Sequence, residues 1–110
     1  MKIAVPTRGG ALSSHFGQCE QFTVFHVDDG QIRKTEVLKP PEHEPGSYPR
    51  FLGAQGVDTV IAGGMGGRAQ GLFSEKGITV VSGAQGSDPA AIVESYIKRA
   101  LKTGENPCDH

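Results

Sequence analysis

The chain has 110 residues, of which 36% are hydrophobic and 21% are charged, values typical of a single soluble globular domain. Its 11 Lys and Arg residues nearly balance 12 Asp and Glu residues, and the net charge of -1 excludes the broad positive surface of a general nucleic-acid binder. No apolar run approaches the ~18 residues of a membrane span, and the run after Lys2 is too short for a signal peptide. We therefore expect one cytoplasmic domain over residues 1–104 with a flexible tail at residues 105–110, and no nucleic-acid or membrane partner.

The first part of the chain predicts three strands. Alternating apolar residues indicate a strand at Lys2–Pro6, and Pro6 is expected to end it because proline withholds a backbone donor. A polar loop, Thr7–Ser14, follows. Gln21–Val27 alternates strongly, and the turn at residues 28–30 supplies the Asp-Gly pair of a tight hairpin. The partner strand, Gln31–Leu38, is charged enough to be a sheet edge.

The second part of the chain predicts alternating helices and strands. Lys39–Pro49 contains four of the seven prolines and is expected to be a mobile surface loop. Glycines and the Asp88-Pro89 helix start then delimit the remaining elements. These are a helix at Arg50–Gln55, a strand at Thr59–Ala62, a helix at Arg68–Lys76, a strand at Ile78–Val81, and a final helix from Asp88 to Leu101.

The predicted order is β-β-β-α-β-α-β-α, which favours an α/β fold with a five-stranded mixed sheet and helices on both faces. Because parallel neighbours need right-handed crossovers, the strand at Lys2–Pro6 should lie between the hairpin and Thr59–Ala62, parallel to the latter. In such a sheet the carboxyl ends of the parallel strands open onto one edge, where ligands bind.

Three glycine-rich loops are expected at that edge: Thr7–Gln18, Gly63–Gly67 and Gly83–Ser87. Glycine permits close backbone approach and positive φ angles, and the second loop also opens a helix whose N–H groups favour an anion. The sequence therefore predicts an anionic-ligand site, unless the glycines only make tight turns. The candidate ligand-binding residues are Arg8, Gly63, Gly64, Met65, Gly66, Gly67 and Arg68.

The glycine pattern is a weak dinucleotide signal. Residues 64–69 fit G-x-G-x-x-G/A between a strand and a helix, but no Asp or Glu ends the next strand to hold a ribose. That strand ends at Ser82. The chain also lacks a P-loop lysine after the glycines.

Four residues are candidate metal ligands. His15 lies in the first glycine loop, and Cys19 follows at i+4. Cys108 and His110 flank Asp109 at the end of the chain, where a short tail could close on a metal or remain disordered. The alternatives are a solvated His15 and a packed Cys19. Met65 could supply a thioether or fill a hydrophobic gap.

Several motifs, taken in order, resemble the dinitrogenase iron–molybdenum cofactor biosynthesis family, which includes the NifX and NafY proteins and the C-terminal domain of NifB. The resemblance covers nearly the whole chain and departs from the common family pattern at Gln18-Cys19, where Arg-Ala is frequent. The matching segments are KIAVP at Lys2–Pro6, Ser14-His15-Phe16-Gly17, the strand containing Phe22, residues 57–66, residues 77–80 and the closing Cys108-Asp109-His110.

This resemblance implies a ribonuclease H-like α/β/α sandwich. It also implies a non-enzymatic protein that binds or carries a metal–sulfur cluster, with His15 as the favoured contact. The cluster would be the iron–molybdenum cofactor of nitrogen-fixing organisms, its precursor, or a related molybdenum, iron or copper sulfide. Expected partners are cluster donor or acceptor proteins, and the chain is expected to be a monomer or weak homodimer. The alternatives are a nucleotide- or phosphate-binding regulatory domain that uses the same loops, and a module that only makes protein contacts.

Overall fold

The structure is a computed structural model, and it describes residues 1–42 and 46–98. The predicted ligands Cys108 and His110, the tail at residues 105–110, and His43 lie outside the described residues. The strands are β1 (Lys2–Arg8), β2 (Ala11–Leu12), β3 (Gln21–Asp28), β4 (Gln31–Leu38), β5 (Thr59–Ile61) and β6 (Thr79–Val81). The helices are α1 (Ser47–Ala54), α2 (Gly67–Glu75) and α3 (Pro89–Ile97), and a 3₁₀ turn spans Phe16–Gln18.

The strands form one mixed sheet in the order β4-β3-β1-β5-β6, with β2 paired to the end of β1. The first strand runs antiparallel to β3 and parallel to β5, where Ile3 pairs with Thr59 and Ala4 with Val60. This confirms the predicted mixed α/β sheet and the position of β1 between the hairpin and β5. The sheet has six strands, so the expected number of five is wrong.

The sixth strand exists because Pro6 does not end β1. The strand continues to Arg8, turns through Gly9 and Gly10, and returns as β2. Pairing with β5 reaches only to Ala4, and pairing with β2 begins at Thr7. Pro6 therefore lies at the point where the neighbour on that side of β1 changes, a position at which a strand tolerates a missing N–H. Both glycines have positive φ, 62° and 81°, as a tight hairpin requires.

Alternation along the strands divides the apolar residues between two faces of the sheet. One face packs against α1 and α2, and its buried core includes Phe22, Val24, Leu52 and Phe73. The other face packs against α3, and its buried core includes Ile3, Val5, Phe25, Val27, Ile92 and Val93. The sheet thus carries helices on both sides, as the period of two in β3 predicted.

The proline-rich segment is shorter than predicted. Helix α1 begins at Ser47, and Ser47, Tyr48 and Pro49 are all buried. A proline in the first turn costs no helical hydrogen bond, because the N–H groups there lack intrahelical partners. Tyr48 packs edge-on against Phe22, with the ring centroids 5.2 Å apart, which stabilises the start of the helix against the sheet.

None of the helices in the described ranges has the length and apolar character to cross a membrane.

Candidate functional site

Backbone hydrogen bonds join three loops at the carboxyl edge of β1, β5 and β6. The amide of Gly64 donates to the carbonyl of Ser14 at 2.8 Å, and the amide of Gly83 donates to the carbonyl of Gly63 at 2.6 Å. The amide of Leu12 donates to the carbonyl of Ser87 at 2.9 Å. The three glycine-rich loops therefore converge on one edge, as the strand order predicted.

His15 is placed directly beside the second glycine loop. His15 and Gly64 form an isolated parallel β-bridge, in which the amide of Phe16 donates to the carbonyl of Gly64 at 2.8 Å. The backbone of His15 is extended, with φ −129° and ψ 127°, and its carbonyl accepts a hydrogen bond from Ser13 Oγ at 2.8 Å. The residue is half-buried. Backbone pairing thus determines the position of this histidine.

Phe16 anchors the His15 loop in the core. Its ring is 5% exposed and lies 5.3 Å from Tyr48 and 5.4 Å from Phe73, both in edge-to-face geometry. Phe22 lies 5.9 Å away. Each such pair contributes about 0.5–1.5 kcal/mol beyond burial. The residue after His15 is therefore fixed by rings from β3, α1 and α2.

Gly63 is required because two loops pass within contact distance. A Cβ at this position would lie 3.1 Å from the carbonyl oxygen of Ser13 and 3.3 Å from that of Ser14. The glycines of the loop at residues 63–67 do not have positive φ, and Gly66 has φ −65°, so the expectation of positive φ in this loop is wrong. Positive φ occurs in the third loop, at Gly83 (77°) and Gly86 (107°).

A pocket of about 210 Å³ opens between the three loops. Glycine backbone and small or polar side chains form most of its wall, and none of the described lining residues carries a charge. The lining residues are Leu12, Ser14, Gly63, Gly83, Ala84, Gln85 and Gly86. An anion entering this pocket meets no carboxylate from residues 1–42 or 46–98 in the wall.

Helix α2 starts beside this pocket with its N–H groups uncapped. Its N-cap, Gly66, offers no side-chain acceptor, and no acidic residue lies in the first turn. Arg68 is exposed in that turn, and Arg8 is exposed where β1 enters its hairpin. Within residues 1–42 and 46–98, neither arginine forms an ion pair. The helix dipole and both cations make this edge favourable for negative charge.

Two other candidate ligands, Cys19 and Met65, are buried. Burial raises the pKa of the Cys19 thiol to about 11, partly offset by hydrogen bonds from the backbone and with Tyr48, so Cys19 is held as a neutral thiol in the core. Met65 is 0% exposed and packs in the same core. The part of the chain that the structure describes contains no group of three or more His, Cys, Asp or Glu residues arranged for a metal ion.

Sequence reasoning missed three polar residues of this region. Ser13 is 4% exposed and holds the carbonyl of His15. Gln70 donates from Nε2 to the carbonyl of Met65 at 2.8 Å. Gln85 lines the pocket. Ser13 and Gln70 act through the backbone of other residues, and a sequence motif does not reveal such a role.

Known proteins resemble this chain over most of its length. A family profile described as dinitrogenase iron-molybdenum cofactor matches residues 1–99. An uncharacterized protein of Methanocaldococcus jannaschii is 34% identical over 85 residues, which are 73% of this chain and 72% of that protein. The crystal structure of the protein PH0822 superposes with a TM-score of 0.87 at 29% identity, covering 96% of this chain and 98% of that one. The apo orange protein of Desulfovibrio gigas has a TM-score of 0.76 at 22% identity, covering 96% and 94%, and shows the same fold.

Proposed function

Because the chain belongs to the dinitrogenase iron–molybdenum cofactor family, we propose that it binds an anionic metal–sulfur cluster as cargo at the carboxyl edge of its sheet. The cluster is the iron–molybdenum cofactor, its precursor, or a related molybdenum, iron or copper sulfide. The single observation that carries the proposal is the bridge between His15 and Gly64, which puts the backbone of His15 next to the glycine loop whose Gly63 lines the pocket.

Different residues of this edge contribute different interactions with such a cargo. The glycine backbone of the loop at residues 63–67 and of Gly83 lets a cluster approach closely. The amides of Gly66 and Gly67, which have no acceptor within the described ranges, can donate to its sulfides. Arg8 and Arg68 are exposed, form no ion pair with another described residue, and supply long-range attraction. The imidazole of His15 adds one directional bond to a metal atom.

This arrangement suits a carrier better than a catalyst. A cargo held by N–H groups, exposed cations and a single imidazole can be released without breaking several metal–thiolate bonds, since the Cys19 thiol is neutral and buried. We therefore propose that the protein is not an enzyme, that it exchanges the cluster with donor or acceptor proteins, and that it works as a monomer or weak homodimer. The ribonuclease H-like arrangement of the sheet belongs to the same proposal.

The competing function is phosphate or nucleotide binding at the same edge. Backbone N–H groups and arginines also recognise phosphate. Against a nucleotide, β6 leads into Ser82 without an acidic residue, and the 210 Å³ pocket is below the usual size of a small-molecule site, ~300–1,000 Å³. A bond from His15 to metal is the feature that separates the two functions.

The test is an anaerobic titration of the purified protein with tetrathiomolybdate, with and without Cu(I), followed by visible absorption. ATP and inorganic phosphate are titrated in parallel by calorimetry. Binding of the sulfide species with a shifted visible spectrum, weakened in His15→Ala, supports the proposal. The matched control is His26→Ala, because His26 lies opposite Lys2 at the other end of β1. Tight binding of phosphate or ATP with no binding of a metal sulfide would refute it.

A further inference from the structure

The backbone carbonyls from Ala62 to Gly66, at the second glycine loop, are occupied by donors from within the chain. Five consecutive carbonyls, from Ala62 to Gly66, each accept a hydrogen bond. In order, the donors are the amide of Ala84 at 3.0 Å, the amide of Gly83 at 2.6 Å, the amide of Phe16 at 2.8 Å, Gln70 Nε2 at 2.8 Å and the amide of Gln70 at 3.1 Å.

The facing loop follows the same pattern. The carbonyl of Ser14 accepts from the amide of Gly64 at 2.8 Å, and that of His15 accepts from Ser13 Oγ at 2.8 Å. By contrast, the amides of Gly66 and Gly67 have no acceptor within the described ranges. The carbonyls of both loops are thus paired with donors inside the protein, whereas the second loop leaves the amides of Gly66 and Gly67 without an acceptor in the described residues.

The contrast between paired carbonyls and available N–H groups favours anions over cations at this edge. An outward carbonyl would repel an anion and offer a ligand to a hard cation, whereas an outward N–H attracts an anion. The interaction of a dipole with an ion grows with the charge of the ion, so a fixed loop of this kind discriminates most strongly in favour of multiply charged anions.

Gln70 is the side chain on which this arrangement depends most. Most of the donors are backbone amides, which only a substitution by proline removes. The carbonyl of His15 also accepts from the amide of Gln18 at 3.1 Å, so it retains a donor without Ser13. We propose that Gln70 is a positioning residue that holds the Met65 carbonyl away from a multiply charged anionic cargo. This inference rests on the proposed function and names its substrate class.

The experiment compares two tetrahedral oxyanions of similar size, dianionic molybdate and monoanionic perrhenate, binding to the full chain by amide NMR titration. In Gln70→Met, we expect molybdate affinity to fall about tenfold and perrhenate affinity only about threefold. The repulsion between the freed carbonyl and an anion is proportional to the charge of the anion, so it is half as large for perrhenate. Half the energy corresponds to the square root of the fold-change in affinity. If Gln70 had a purely structural role, Gln70→Met would lower the affinities for both anions by the same factor. Gln70→Ala removes the same donor with a stronger helix former and serves if Gln70→Met folds poorly.

Gln31→Met is the matched control, because Gln31 lies on β4, the edge strand farthest from β5 and β6. A parallel titration with tetrathiomolybdate separates this inference from the proposed function. If the native protein binds molybdate but not tetrathiomolybdate, the proposed function fails, and the role of Gln70 stands when Gln70→Met weakens molybdate binding more than perrhenate binding. Whether or not tetrathiomolybdate binds, the role of Gln70 is refuted if Gln70→Met weakens the binding of neither oxyanion or weakens the binding of both equally. If the native protein binds none of the three anions, both are refuted.

Discussion

Replacing Gly63 by alanine measures how closely two loops of the site approach each other. The new Cβ would lie 3.1 Å from the carbonyl oxygen of Ser13 and 3.3 Å from that of Ser14. Both atoms belong to backbone, so they cannot move aside as the end of a flexible side chain would. The Ser14 oxygen also accepts the amide of Gly64 at 2.8 Å, and the amide of Ser13 donates to the carbonyl of Pro6 at 2.9 Å.

The loops must separate by a few tenths of an ångström to admit the methyl group, which strains these hydrogen bonds. Overpacking of this kind costs about 1–3 kcal/mol. We therefore expect Gly63→Ala to lower the free energy of unfolding by about 1–2 kcal/mol, which corresponds to a fall in Tm of roughly 5–15 °C for a chain of this size. The assay is urea unfolding followed by circular dichroism, with a thermal scan.

Gly71→Ala is the matched control, because it adds the same methyl group to open space in the middle of α2. Removing a glycine from a helix interior should raise the free energy of unfolding by about 0.5–1 kcal/mol. The two substitutions should therefore move stability in opposite directions. If Gly63→Ala is as stable as the native chain, or gains stability as Gly71→Ala does, the close approach does not constrain these loops.

Three further predictions concern titratable side chains. His15→Ala should weaken tetrathiomolybdate binding at least about tenfold, roughly 1.4 kcal/mol, with an unchanged unfolding curve, and equal affinity would leave His15 without a binding role. The hydrogen bond from His26 holds the pKa of Glu36 below its ordinary value of 4.5. The ionised Glu36 carboxylate therefore stabilises the fold above pH 4.5, and this stabilisation is lost as the pH falls through the lowered pKa. In Glu36→Gln, the free energy of unfolding should therefore fall less steeply as the pH is lowered into the acid range. An unchanged slope of the free energy of unfolding against pH would contradict this. Burial raises the pKa of Cys19 from 9.0 to about 11, so its stabilisation is complete below pH 9 and is lost as the pH rises towards 11. A maleimide should label Cys19 at pH 8 much more slowly in the folded chain than in urea, and equal rates would refute the burial of the thiol.

The order and direction of the strands were predictable because they depend on periodicity and chain connection. The alternation of Phe22, Val24 and Phe25 assigned the faces of β3 correctly, and the strand–helix alternation after residue 50 required β1 and β5 to be parallel. The convergence of the glycine loops followed from that topology. The periodicity of a strand is a local property of the sequence, and the direction of neighbouring strands follows from the handedness of the chain connections, so both could be predicted.

Two errors came from prolines, whose effect depends on neighbours that the sequence does not show. Pro6 was expected to end β1, but the neighbouring strand changes at that residue and the missing N–H is tolerated. Pro49 was assigned to a surface loop, but it lies in the first turn of α1, next to the buried ring of Tyr48. In each case a tertiary contact, rather than local propensity, decides whether the proline interrupts an element.

The candidate site could be located from the sequence, but the reasons for its geometry could not. Its surface is mostly backbone, and the residues that fix that backbone lie beneath it or act through another residue. Phe16 is held by rings from three elements, Ser13 is buried under the carbonyl of His15, and Gln70 reaches back one helical turn to Met65. A site of this kind depends on its buried supports as well as on the side chains at its surface. Substitutions at Phe16 or Gly63 should therefore affect cargo binding even where the substituted residue does not contact the cargo.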